Sequence, residues 1–93
     1  MASRRILKRD INYVVSDLIL DCYACMEEQP EKDFSRYEQI INDAIIMKED
    51  LYERINHFDP SKHGSSKDYF LTIRKDLFVW MTQAYENLKA LGS

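Results

Sequence analysis

Glycine and proline are scarce, with two of each in 93 residues. A fold of many short strands needs turn chemistry at every reversal, so this scarcity argues against a β sandwich or barrel. Long apolar runs are also missing. Stretches such as Ala44-Ile45-Ile46-Met47 fall far short of the roughly 20 residues a membrane span requires. The chain has no Gly-rich phosphate loop, no Gly-x-Ser-x-Gly and no His-Glu-x-x-His. It is too short for a typical Rossmann or barrel enzyme. A formal net charge of −3 gives no overall nucleic-acid signature.

Hydrophobic residues make up 45% and charged residues 31%, a globular mixture sized for a single domain spanning 1–93. Met1-Ala2 and Gly92-Ser93 read as cloning remnants, and 1–3 and 92–93 are set aside from the fold. Arg4, Arg5, Lys8 and Arg9 look like the charged start of a signal peptide. Asp10, Asn12, Ser16 and Asp17 then interrupt the apolar run such a peptide needs. The expectation is a cytoplasmic protein with its two cysteines reduced.

Apolar residues recur at spacings of three and four in three segments, which predicts three helices over about 4–28, 35–57 and 66–91. The first carries the stripe Leu7, Ile11, Val14, Val15, Leu18, Ile19, Cys22, Cys25 and Met26, and Gln29-Pro30 should end it. The second opens on Ser35-Arg36-Tyr37-Glu38, the pattern of a capping box. Its inner side should hold Tyr37, Ile40, Ile41, Ala44, Ile45, Met47, Leu51, Tyr52 and Ile55. Residues 59–65 read as an exposed loop. The third helix should start near Ser65 or Ser66 and bury Phe70, Ile73, Leu77, Trp80, Ala84, Leu88 and Leu91. Two short connections between long helices make the neighbours antiparallel. The predicted fold class is therefore all-α, an up-down-up three-helix bundle.

The third helix is apolar on too many sides. Leu71, Phe78 and Tyr85 recur at intervals of seven beyond the main stripe, with Arg74 and Met81 at the edge between. The combined apolar arc is about 200°, more than a helix with two neighbours needs. Two readings follow. Either Phe34 and Phe58 fold over this flank, or the line meets a second copy or another protein. The expected partner-binding residues are Leu71, Arg74, Phe78, Met81 and Tyr85, and the expected partner is protein, with a homodimer as one version. No cofactor, membrane or nucleic acid is expected.

Two other features bear on chemistry. Cys22-Tyr23-Ala24-Cys25 places two thiols on one helical face, an arrangement that grips a metal or exchanges electrons in other settings. Redox motifs of this kind open a helix, whereas this one closes it, and a structural zinc needs two more ligands. His57 and His63 are the candidates, but His57 belongs at the opposite pole. Core cysteines are the simpler reading. The basic cluster Arg4, Arg5, Lys8 and Arg9 holds four of thirteen basic residues and leaves the rest of the chain at −7. Weak phosphate or nucleic-acid contact is one reading, and a solvated helix start is the other. Lys48 falls inside the apolar arc of the second helix, where a snorkelling side chain is expected. In length and pattern the whole chain resembles small uncharacterised helical proteins of bacterial genomes, a likeness that rests on no motif and implies no activity.

Overall fold

The computed structural model describes residues 4–28 and 34–92. Among them all regular structure is helical, in the order α1 (Arg4–Glu28), α2 (Ser35–Asn56), α3 (Pro60–His63) and α4 (Ser66–Gly92), with no strand. The all-α class holds, but there are four helices rather than three. The predicted loop over 59–65 contains a helical turn of its own. Asp59 caps it by accepting from the Ser61 N–H at 2.9 Å, Pro60 supplies a preset φ at its first position, and Gly64 closes it at φ 75°. Asp, Pro and Gly are turn residues, and at this spacing they are also a start and a stop for one turn of helix.

The other boundaries follow local chemistry with one exception. At α4 the Ser65 side chain accepts from the Asp68 N–H at 3.4 Å, as a capping serine does. At α2 the cap position is one residue earlier than predicted. Phe34 occupies the cap position in helical geometry without a side-chain cap, its carbonyl accepts from the Glu38 N–H at 2.9 Å, and Ser35 is already helical. Gln29-Pro30 lies outside the described residues. Gly92, expected as a cap or remnant, is the last residue of α4.

The three long helices share one core. Leu7, Ile11, Leu18, Cys22, Ala44, Ile55 and Ile73 have no exposed surface, and Tyr37, Leu51 and Phe70 close it. Burying each large aliphatic side chain is worth about 1.5–3 kcal/mol relative to leaving it in water. The predicted stripes lie inward with two differences. Ile45 is exposed, and Met81, placed at the edge of the arc by periodicity, is buried. Trp80 and Leu91 are only half-buried against the core.

Side-chain pairs fix the directions. Lys8 bonds Asn56, the Tyr52 hydroxyl donates to the Lys8 carbonyl at 2.9 Å, and Lys48 reaches Asn12 at 3.4 Å. The partner number falls as α1 advances, so α1 and α2 are antiparallel. Arg54 pairs with Asp76 at 2.9 Å while Ile40 and Asp43 share a hollow with Ala84 and Asn87, so α2 and α4 are antiparallel too. Arg74 donates to Asp10 at 3.1 Å, and the Tyr85 hydroxyl bonds the Asp21 carboxylate. Both pairs are sixty-four positions apart, so α1 and α4 run parallel in one register. The molecule is a rod of 53 × 19 × 18 Å. No described helix is long and apolar enough to cross a membrane.

Candidate functional site

The face shared by α1 and α4 carries the residues singled out by sequence. Val14 of α1 and Leu77 and Met81 of α4 pave a hollow of about 330 Å³, walled by Arg74, Phe78 and Tyr85. A second hollow begins on the other side of Tyr85 and runs along Asp21, Cys25, Leu88 and Lys89 toward the end of the rod. Together they form one apolar groove with Tyr85 as its saddle. Its walls are helices, so the side chains along it are held at fixed levels.

Of the predicted contact residues, Phe78 is the most open at 71% exposed, with Leu71 and Tyr85 also exposed. Leu71 stands beyond the groove on the same line. Arg74 is half-buried and tied to Asp10. Met81 is part of the floor. The proposed covers do not reach this flank. Phe58 packs on Tyr69 and Phe70, with ring centroids 5.0 and 5.6 Å away, and so shields the start of α4. Phe34 lines a hollow with Tyr23, Met26 and Glu27 on α1.

Electrostatics sharpen the picture. Asp10, Asp17 and Asp21 lie on the α1 side of the face, seven and four residues apart. The Tyr85 phenol is pushed up to about 12, first by burial and then by its bond to Asp21 and the nearby Asp17 and Cys22. It is therefore a neutral donor at ordinary pH, reaching across the groove to a carboxylate. On the α4 side stand Arg74, Lys75 and Lys89. The α1 side is acidic, and on the α4 side these three cations outnumber Glu86, with Arg74 already paired to Asp10 across the seam.

Sequence reasoning missed the matching line on α1. Ile6, Tyr13 and Leu20 are exposed, Tyr13 at 70% and Leu20 at 64%, and they too recur every seven residues. Their spacing is visible in the sequence. The regular inner stripe of the same helix is the stronger periodic signal.

The remaining candidates are dispersed. Cys22 is fully buried, and its thiol is pushed up to about 11 by burial, by Cys25 and by Asp21. Cys25 is half-buried beneath the second hollow. Among the described residues no group of three or more His, Cys, Asp or Glu side chains is placed to hold a metal ion. His63 packs tilted against Tyr69, with centroids 4.7 Å apart, and its Nδ1 accepts from the Asp59 N–H. Three of the four cations of the basic N-terminus make contacts within the chain. Arg4 reaches the Phe58 carbonyl at 3.5 Å, Lys8 lies 5.7 Å from the Tyr52 ring centroid, and Arg9 approaches Asp10 at 3.9 Å. Lys48 emerges from the apolar arc toward Asn12, as a snorkelling lysine does. The chain matches no family model, no curated protein and no solved structure.

Proposed function

We propose that the chain is a non-enzymatic, cytoplasmic protein-interaction module. In this reading it is a single-domain, up-down-up bundle of three long helices that docks protein on its α1–α4 face, through Leu71, Arg74, Phe78, Met81 and Tyr85. The observation that carries the reading is Phe78, which stands 71% exposed beside an apolar groove that none of the described loops covers. Returning one such side chain to an apolar setting is worth about 1.5–3 kcal/mol, and a line of them makes a contact patch. Docking of this kind requires no cofactor, membrane or nucleic acid.

The experiment compares the native chain with Phe78→Glu, after circular dichroism has established that both fold. A tagged chain is tested for retention of its untagged copy and of proteins from its host extract. The reading expects retention that is lost in Phe78→Glu. Equal behaviour of the two chains in both assays overturns it.

A further inference from the structure

The α1 and α4 lines are in register with each other. Ile6 and Leu71, Tyr13 and Phe78, and Leu20 and Tyr85 are each sixty-five positions apart. The two parallel helices align at an offset of sixty-four. Each pair therefore stands at the same height on the rod to within one residue, about 1.5 Å. The two lines span about 21 Å, the rise of fourteen residues.

We propose that the occupant of this face is a second copy of the chain, related by a two-fold axis that runs along the helices. This deepens the docking reading and rests on it. Such an axis keeps every height and exchanges the two helices across the contact, so α1 of one copy lies on α4 of the other. Tyr13 then meets Phe78 of the second copy, Ile6 meets Leu71 and Leu20 meets Tyr85. The symmetry makes each contact twice, as a closed isologous interface does.

Charge selects this axis over the alternative. With the axis along the helices, the α1 side of one copy, with Asp10, Asp17 and Asp21, faces the α4 side of the other, where Lys75 and Lys89 outnumber Glu86 and where Arg74 is already paired with Asp10 of its own copy. Asp10 and Lys75 share the sixty-five offset, and Lys89 stands at a height between those of Asp21 and Glu28. A two-fold axis across the helices instead lays α1 on α1 and α4 on α4, setting aspartates against aspartates and lysines against lysines. Like charges facing each other are destabilising, and opposite charges fix partner and register. The same charges also shape a foreign partner, and a second copy carries both lines at the matching heights.

Sedimentation equilibrium to high micromolar concentration measures the association, and disulfide trapping reads its geometry. In a Cys25→Ser background, Tyr13→Cys chains are mixed with Phe78→Cys chains, one kind tagged, under mild oxidation. The proposal expects a dimer weakened by about tenfold or more in Phe78→Glu, and a mixed disulfide in excess of either like-with-like product. A dimer that yields mainly like-with-like disulfides overturns the axis and leaves docking intact. A monomer that still retains another protein through Phe78 overturns self-pairing alone. A monomer with no Phe78-dependent retention overturns this proposal and the docking reading together.

Discussion

Arg74 of α4 donates to the Asp10 carboxylate of α1 at 3.1 Å, across the upper end of the apolar groove. Both side chains keep about two-fifths of their surface in water, 40% and 39%. An ion pair that open to solvent contributes less than about 1 kcal/mol, so it marks the register of α1 and α4 more than it creates it. The register comes from the buried residues below, Ile11, Leu18 and Ile73, which have no exposed surface. Since those residues also fix the height of Tyr13 against Phe78, the core of the rod sets the spacing of its outer face.

That division of labour separates two kinds of variant. Leu18→Ala removes a fully buried side chain from the middle of the rod and should cost about 2–5 kcal/mol, depending on how far the cavity collapses. Phe78→Ala removes a larger side chain from the surface and should change the stability of a dilute monomer by less than about 0.5 kcal/mol. Urea unfolding at low protein concentration checks both. A loss from Phe78→Ala comparable to that from Leu18→Ala would mean that Phe78 is a core residue, and the outer face would lose its argument.

The Cys22 thiol and the Tyr85 phenol share a direction of shift and so a pH dependence. Cys22 is raised from 9.0 to about 11 by burial first, and Tyr85 from 10.0 to about 12 by burial first. In the unfolded chain both groups ionise earlier, so ionisation favours unfolding. Their contribution is fully present below about pH 9 and is lost as pH rises through about 11 to 12. The urea midpoint should hold from pH 7 to 8.5 and fall above 9.5, less steeply in a Cys22→Ala/Tyr85→Phe chain. At pH 8 a disulfide reagent should modify half-buried Cys25 first and reach Cys22 only on the timescale of opening. Equal rates at the two thiols would show that Cys22 is not enclosed.

The periodic parts of this fold were legible, and the parts decided by competition between neighbours were not. Ile11, Leu18, Ile40, Ile55, Ile73 and Leu88 lie inward where a 3.6-residue period puts them, because most of a helix's stability comes from burying one stripe. Met81 is buried and Ile45 exposed, against the periodicity, because the arc of one helix does not say where two neighbours touch it. The pattern Ser-x-x-Glu points to Ser35 as a cap because it pairs free amides well, yet Phe34 takes the cap position in helical geometry. The line Leu71–Phe78–Tyr85 was visible as surplus, whereas Ile6–Tyr13–Leu20 acquires meaning only once α1 and α4 are known to run parallel.

The turn formed by α3 gives a further test, because its two ends depend on different physics. Gly64 adopts φ 75° and ψ −129°, a region that side chains with a Cβ strongly disfavour, although open space surrounds the position. Gly64→Ala should therefore destabilise through backbone strain alone, by about 1–3 kcal/mol. At the other end, the Asp59 carboxyl is held below its ordinary value first by the Ser61 hydroxyl and then by the Ser61 N–H, with His63 adding to them. A lowered folded value means that the cap's contribution is present above the ordinary carboxyl range and is lost as pH falls through the lowered value. Asp59→Ala should unwind residues 60–63 at neutral pH, and acid should do the same to the native chain. Amide chemical shifts of Ser61 through Gly64 report both changes, while those of Ile11 and Leu18 stay in place. If the Ile11 and Leu18 shifts move with them, α3 is coupled to the core and is not a local device.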